Sequence, residues 1–196
     1  TAADLEDLYS AECARVEVLA GPYRTQLAIP IPEKVWECYR GYRVTPLIRA
    51  HHLERVLDYS GKIYYKMEGN NPGGSHKPNT AIAQAFYAAE QGLEGVVTDT
   101  GAGQWGTALA LAAQAFGLKC VVFMTQSSYI DKPYRRTMMR LAGAEVYSSP
   151  SNLTNRGKRL LDSDPNHIGS LGIGMGEAVE YARTKRSFRL ALGCMA

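Results

Sequence analysis

The sequence predicts an α/β fold in which a parallel sheet is covered by helices on both faces. Short apolar segments alternate with helical segments from residue 61 onward, and this alternation is typical of βαβ units. The apolar segments are almost uninterrupted, which indicates strands that are buried on both faces. Glycines follow several helical segments, where a left-handed conformation would end a helix.

The first 60 residues have a less regular pattern. Pro32 is predicted to lie just inside a helix start, because its missing N–H group would be unpaired there in any case. An extended segment at 43–48 is followed by a predicted helix at 51–57 and a predicted strand at 62–67. These elements lead into the alternating part of the chain.

The alternating part begins with a loop at 68–75. Gly92, Gly117 and Gly143 are each predicted to end the helix before them. A polar turn is predicted at 162–167. The predicted helices are 78–91, 107–116, 134–141, 153–161 and 177–183, and the predicted strands are 95–98, 120–124, 145–147 and 188–192.

The composition is that of a globular protein, with 45% apolar and 21% charged residues among 196. The net charge is +3, and the lysines and arginines are scattered instead of forming the dense basic stripe that nucleic acid requires. No apolar run reaches the length needed to cross a membrane. We therefore expect neither nucleic acid nor a membrane as a partner.

Cysteine usage and the start of the chain indicate a cytoplasmic protein. The acidic stretch at 1–7 lacks the apolar core of a secretion signal. The cysteines are widely spaced and form no C-x-x-C pair, which favours reduced thiols and makes a metal site unexpected. They are Cys13, Cys38, Cys120 and Cys194.

A glycine-rich loop that contains a lysine precedes the predicted helix at 78–91. Its glycines would let the backbone approach a ligand closely. Ser75 could cap the helix, which would put His76 and Lys77 at its N-terminus. A helix dipole disfavours a cation there and so favours the free amine of Lys77, the form needed for Schiff-base chemistry. A lone lysine is more often solvated, but the position in this loop favours a functional role.

A second glycine-rich loop, at 99–106, follows the predicted strand at 95–98 and leads into a helix. Its backbone N–H groups would form a cradle for an anion. Gly101, Gly103 and Gly106 also match the G-x-G-x-x-G pattern of dinucleotide-binding proteins. That interpretation requires an acidic residue about 20 positions later, and the stretch 123–128 has none. A small ligand with a carboxylate suits this loop better.

These two loops resemble the cofactor-lysine loop and the substrate-carboxylate loop of the tryptophan synthase β chain. With a tryptophan at position 105, the second loop is similar to that of the second, longer type of β chain. The resemblance covers most of the chain from about Glu12 onward. The segments that carry it are 45–50, 74–80, 100–106, 132–136, 150–154 and 169–173.

The resemblance implies a fold of the pyridoxal phosphate (PLP) type II class and a lyase of tryptophan biosynthesis. It implies that serine loses its hydroxyl group and that indole adds in its place to give tryptophan. Residues 1–60 would be an N-terminal extension with the first part of a large domain, and 61–196 would contain a small central domain at about 90–185.

The resemblance also implies roles for individual residues. Lys77 would form the Schiff base with PLP and then move the α-proton of the substrate, and His76 would lie near the cofactor phosphate. Gln104 would contact the cofactor and, with the four residues before it, the substrate carboxylate. The implied carboxylate-binding residues are Thr100, Gly101, Ala102, Gly103 and Gln104.

Asp99 departs from the family pattern, which has a glutamate that is thought to assist loss of the hydroxyl group and activation of indole. Aspartate keeps the carboxylate but shortens its reach by one methylene, and misplacement on that scale can lower a rate about 10²-fold. The alternative is that Asp99 only complements the helix N-terminus that follows it. We favour a catalytic role with an altered rate or an altered nucleophile.

The resemblance also implies that the chain is shortened. A glycine-rich loop for the cofactor phosphate and a polar partner for the pyridine nitrogen are expected later in the family pattern, and neither occurs by Ala196. We therefore expect the C-terminal part of the large domain to be missing. On this basis the chain alone would bind PLP poorly and would have little synthase activity.

Three functions remain open from the sequence. The first is a tryptophan-synthase-like enzyme, expected to be a homodimer when full length, with an α subunit as a possible partner. The second is a related PLP lyase, such as a serine or threonine dehydratase or another β-replacing synthase. The third is a non-catalytic product of a truncated or split gene.

Overall fold

The computed structural model describes residues 7–13 and 30–193. Cys194 and the ends of the chain discussed above lie outside these ranges. Residues 11–13 are helical. The later elements are α1 Glu33–Arg40, β1 Leu47–Arg49, α2 His51–Val56, β2 Tyr64–Lys66, α3 Pro78–Glu90, β3 Gly95–Thr100, α4 Gln104–Ala115, β4 Lys119–Thr125, α5 Gln126–Asp131, α6 Pro133–Leu141, β5 Glu145–Ser149, α7 Asn155–Ser163, α8 Leu171–Thr184 and β6 Phe188–Leu190.

The main sheet has four parallel strands in the order β5-β4-β3-β6. Val97 of β3 pairs with Val121 of β4 and with Leu190 of β6, so β3 lies inside the sheet. Every residue of β3 is buried. Separately, β1 and β2 form a two-stranded antiparallel sheet in which Ile48 pairs with Tyr65. The predicted fold class, a parallel sheet with helices on both faces, is confirmed.

Alternate residues of the strands face opposite layers of helices. Val96 and Val122 belong to the core that includes buried residues of α3 and α4. Val97 and Val121 belong to a second core, which includes Ala178 and Ala182 of α8. The carboxyl ends of the strands therefore open between two helical layers, which is where α/β sheets bind ligands.

Several boundaries differ from the sequence prediction because capping residues set them. Helix α4 begins three residues earlier than predicted, since Gly103 adopts a left-handed conformation (φ 91°) that turns the chain directly into the helix. Helix α8 begins at Leu171, where the Ser170 hydroxyl accepts a hydrogen bond from Ile173 N. Helix α7 begins after Thr154, whose hydroxyl accepts from Gly157 N at 3.0 Å.

Two further points of the sequence prediction needed correction. Pro32 precedes α1 as its N-cap instead of lying inside it. The short helix α5 was not predicted, because its six residues carry no clear apolar period. By contrast, Gly92, Gly117 and Gly143 all have positive φ and follow helices, as the sequence predicted. None of the helices within 7–13 and 30–193 has the length and apolar character needed to span a bilayer.

Candidate cofactor and substrate site

Lys77 lies at the boundary between the first glycine-rich loop and α3. It occupies the N-cap position, and Pro78 is the first helical residue. Ser75 is therefore not the N-cap residue that the sequence suggested, although its hydroxyl accepts a hydrogen bond from Lys77 N at 3.4 Å. Gly73 and Gly74 have φ values of 78° and 75°, a conformation that favours glycine and that allows the sharp turn before the lysine.

The Lys77 amine is half-buried and is held by a main-chain carbonyl. Its Nζ donates to Gly193 O at 3.4 Å. In the parts of the chain that the structure describes, no carboxylate forms an ion pair with it. His76, next to it, is exposed. The Lys77 amine therefore contacts the segment that follows β6.

The second glycine-rich loop forms the link between β3 and α4. The Thr100 hydroxyl accepts from Gly106 N at 3.2 Å, and the Thr107 hydroxyl donates to Gly103 O at 2.7 Å. These bonds fix the loop on both sides of the left-handed Gly103. Gln104, the first residue of α4, is exposed at the start of the helix. The N–H groups of the first helical turn point towards this end of the sheet, as an anion site requires.

The two loops meet at the same end of the sheet. A methyl group at position 193 would lie 2.3 Å from Cγ and Cδ2 of Trp105, so the indole ring lies directly against the residue whose carbonyl accepts from Lys77. A methyl group on Gly73 would lie 3.3 Å from Cγ2 of Thr107. Backbone of the lysine loop therefore packs on the first turn of α4.

Asp99 lies on the other side of β3 from Trp105. The Trp105 indole bonds to Thr98, whereas a methyl group at position 174 on α8 would lie 3.3 Å from Cβ of Asp99. The structure thus brings Lys77 and the start of α4 together but directs the Asp99 side chain towards α8. Burial raises the pKa of the Asp99 carboxyl to about 6. A carboxyl with such a pKa can both accept and release a proton near neutral pH.

The structure adds two residues for which the sequence analysis had no site role. Arg135 of α6 donates from Nη1 to Gly73 O of the lysine loop at 2.9 Å. Glu177 of α8 is fully buried and accepts hydrogen bonds at the carboxyl end of β5 from Ser149, Ser151 and Thr154. No local pattern marks either residue, because both contacts join distant segments.

No group of three or more histidine, cysteine, aspartate or glutamate residues that could hold a metal ion occurs within the described ranges. Cys38 and Cys120 carry free thiols. Burial raises the pKa of the Cys120 thiol to about 12, so this buried sulfur stays protonated and unreactive.

The chain is similar to known proteins along most of its length. It is 52% identical over 178 residues to the tryptophan synthase beta chain of Thermococcus gammatolerans, which covers 90% of this chain and 40% of that protein. It is 48% identical over 190 residues to the tryptophan synthase beta chain 2 of Pyrococcus abyssi, covering 96% of this chain and 42% of that protein. The chain thus spans about two fifths of the length of these relatives.

Among solved structures, the chain resembles the crystal structure of a pyridoxal 5'-phosphate-dependent aspartate racemase. The TM-score is 0.57 at 23% sequence identity, and the match covers 83% of this chain and 46% of that chain. This likeness concerns the fold alone. The sequence profile described as pyridoxal-phosphate dependent enzyme matches residues 39–170, a span that contains both glycine-rich loops. The chain therefore belongs to the family of pyridoxal-phosphate-dependent enzymes.

Proposed function

We propose that the chain is the lysine-bearing part of an enzyme that joins L-serine and indole to form L-tryptophan by β-replacement. The observation that carries this proposal is the contact between the two loops. The Lys77 amine bonds to Gly193 O, and Gly193 packs on Trp105 in the first turn of α4. An amine and an anion cradle placed together are what a PLP enzyme needs to act on an amino acid.

The described residues fit pyridoxal phosphate. Lys77 offers an amine with no ion-pair partner in the described ranges. The same loop contains a buried acceptor, Asn71 Oδ1, that has no hydrogen-bond partner among the described residues. Buried unpaired polar atoms are uncommon and often mark a place where a bound group completes the hydrogen bonding. The positive φ of Gly73 and Gly74 lets the backbone approach such a group closely.

When bound, pyridoxal phosphate supplies the electron sink that stabilises negative charge on the substrate. Lys77 is proposed to bind the cofactor aldehyde through Nζ and afterwards to carry the α-proton of serine. His76 is exposed beside it and is proposed to lie near the cofactor phosphate. The start of α3 adds N–H groups that favour an anion at this position.

The loop from Thr100 to Gln104 is proposed to hold the serine carboxylate through N–H groups at the start of α4. The hydrogen bonds of Thr100 and Thr107 keep this loop in one conformation, so little ordering is needed when the substrate binds. Gln104 is exposed and can add a side-chain donor or contact the cofactor. Such fixed donors orient the substrate relative to the amine.

Asp99 is proposed to move the proton that accompanies loss of the serine hydroxyl group. Its raised pKa of about 6 supports this role, because the protonated and ionised forms are then both accessible near neutral pH. The side chain faces α8 and is shorter by one methylene than the glutamate of the family pattern. This difference supports a second candidate function, that of a related PLP lyase. Such an enzyme would convert serine to a keto acid without adding indole.

The test compares the chain with a chimera in which it replaces the matching segment of the Thermococcus gammatolerans protein. We expect the chimera, incubated with PLP, serine and indole, to form tryptophan, and Lys77→Ala to abolish both tryptophan formation and the visible Schiff-base absorbance. The 196-residue chain alone should bind PLP weakly and form little tryptophan. Serine without indole separates the two candidate functions, since rapid keto-acid release would favour a dehydratase.

A chimera that folds but shows no Lys77-dependent absorbance would contradict both catalytic candidates and would favour a non-catalytic product. The proposal also includes a cytoplasmic location, a homodimer of the complete protein and an α subunit as a possible partner. Size-exclusion chromatography of the chimera, alone and with the α subunit of the same Thermococcus species, tests the two assembly proposals. A chimera that elutes as a monomer and does not bind the α subunit would contradict both assembly proposals.

A further inference from the structure

Arg135 is the residue of α6 that contacts both loops of the candidate site. Its Nη1 donates to Gly73 O in the lysine loop at 2.9 Å. Its aliphatic stem packs on the second loop, since a methyl group on Gly103 would lie 2.8 Å from Cβ and 3.2 Å from Cγ of Arg135. One side chain thus joins the backbone that precedes Lys77 to the backbone that begins α4.

The guanidinium group of Arg135 is half-buried, and it donates to a main-chain carbonyl. In the described ranges it forms no ion pair with a carboxylate. A hydrogen bond from a charged donor is stronger than a neutral one, and the planar fork loses little entropy when it binds. The contact to Gly73 O is therefore a firm link between the two segments.

The neighbouring Arg136 provides a contrast. It is also half-buried and donates to a carbonyl at the same distance, 2.9 Å, but its acceptor is Tyr129 O of α5. Its guanidinium carbon lies 4.3 Å from the centroid of the Tyr129 ring. Arg136 therefore links α6 to the adjacent short helix and does not reach either loop.

We propose that Arg135 is a positioning residue that holds the lysine loop against the carboxylate loop and thereby fixes the Lys77 amine relative to the bound amino acid. Gly73 lies four positions before Lys77, and both Gly73 and Gly74 have positive φ. Gly74 N bonds to Asn71 O at 2.8 Å, a contact within the turn itself. This inference rests on the proposed function in treating Lys77 as the reactive amine and the second loop as the binding site for the substrate carboxylate.

The first test measures hydrogen exchange in the chain without cofactor. Arg135→Met keeps the stem but removes the donor, and we expect exchange in the peptide spanning 69–79 to accelerate about tenfold, the factor expected for loss of one charge-assisted hydrogen bond. Exchange in β4 serves as the reference for global unfolding. Arg136→Met is the matched control. Its rate of hydrogen exchange in the peptide spanning 69–79 should stay within about twofold of the parent rate.

The second test uses the chimera and separates positioning from a general loss of stability. Borohydride reduction at a fixed PLP concentration traps the Lys77 adduct, which mass spectrometry quantifies. We expect Arg135→Met to lower the trapped fraction of the Lys77 adduct and to raise KM for serine. Arg135→Lys retains a donor, so it should restore a substantial part of both values. Arg136→Met should match the parent in both measurements.

Three results would overturn the inference. Equal acceleration of exchange in 69–79 and in β4 would mean that Arg135 acts on the whole fold. An unchanged lysine loop would mean that the contact to Gly73 O does not restrain it. Equal effects of the two methionine variants would remove the distinction between the arginines. Because exchange needs no cofactor or turnover, a chimera that makes no tryptophan would contradict the proposed function and leave the role of Arg135 intact.

Discussion

The indole Nε1 of Trp105 donates a hydrogen bond to the Thr98 hydroxyl at 2.7 Å. That hydroxyl in turn donates to Ala191 O at 2.6 Å, and all three residues are buried. The chain of hydrogen bonds connects α4, β3 and the segment after β6. Gly193, which accepts from Lys77, belongs to that last segment and packs on the same indole ring. The Thr98 hydroxyl therefore contributes indirectly to where the lysine amine lies.

Thr98→Val should lower the free energy of unfolding by about 3 kcal/mol, because it leaves Trp105 Nε1 and Ala191 O buried without partners. Urea unfolding measured by tryptophan fluorescence checks this value. Thr98→Ser keeps the hydroxyl and is the matched control, with an expected loss near 1 kcal/mol for the missing methyl group. Equal stability of the two variants would show that the hydrogen bonds contribute nothing.

Glu177→Ala should destabilise the fold by about 3 kcal/mol or more, since the carboxylate accepts from Ser149, Ser151 and Thr154 in a fully buried position. Glu177→Gln should destabilise it less than Glu177→Ala, because the amide oxygen can still accept from Ser151 and Thr154 while the amide nitrogen donates to the Ser149 hydroxyl. Chemical denaturation provides the measurement. Glu37→Gln on α1 is the control, as Glu37 is exposed and its change should stay within about 1 kcal/mol.

Asp99→Asn should change stability in a pH-dependent way. Burial raises the folded-state pKa of Asp99 to about 6, whereas its ordinary value is 3.8. Between these values the folded state binds more protons than the unfolded state, so the parent loses stability as pH rises from about 4 to about 7. The difference in unfolding free energy between the variant and the parent should therefore grow by roughly 2 kcal/mol in favour of the variant across this interval. Thermal unfolding of both proteins at pH 4, 5, 6 and 7 checks this prediction. A stability difference that stays constant with pH would contradict it.

Asp99→Glu tests the catalytic role of the same residue in the chimera. Restoring the longer side chain should raise the turnover of indole relative to serine alone, because misplacement by about an ångström can lower a rate about 10²-fold. The measurement is tryptophan formation against keto-acid release. A fall in indole turnover would speak against the role proposed for Asp99.

Gly106→Ala should destabilise the fold by about 1–3 kcal/mol through overpacking. A methyl group there would lie 2.6 Å from Met139 Sδ and 2.9 Å from Val122 Cγ1, so neighbours in α6 and β4 would have to move. Gly172→Ala on α8 is the control, since nothing lies within 4 Å of the added methyl group. The free energy of unfolding of Gly172→Ala should rise by about 0.5 kcal/mol, because alanine lowers the backbone entropy of the unfolded chain. Circular dichroism melts of both variants check the difference.

The alternating apolar and helical segments, together with the glycines that end the helices, were sufficient to predict the α/β class and most of its elements. Gly92, Gly117 and Gly143 have positive φ because a local requirement of the helix end selects glycine. The start of α8 at Leu171 was missed, since Gly172, Gly174 and Gly176 obscure the helical pattern. Of these, Gly174 packs closely on the sheet, where a methyl group would lie 3.3 Å from Cβ of Asp99.

By itself, the sequence determined the α/β class and the positions of the two glycine-rich loops, and it predicted Lys77 as the reactive amine, because residue types and spacing within a loop are local properties of the chain. The tertiary structure decided which face of β3 carries Asp99 and which carbonyl holds the lysine amine. It also decided that Arg135 reaches Gly73, 62 positions away along the chain. Contacts of this kind depend on how helices pack on the sheet, and no local pattern of residues specifies them.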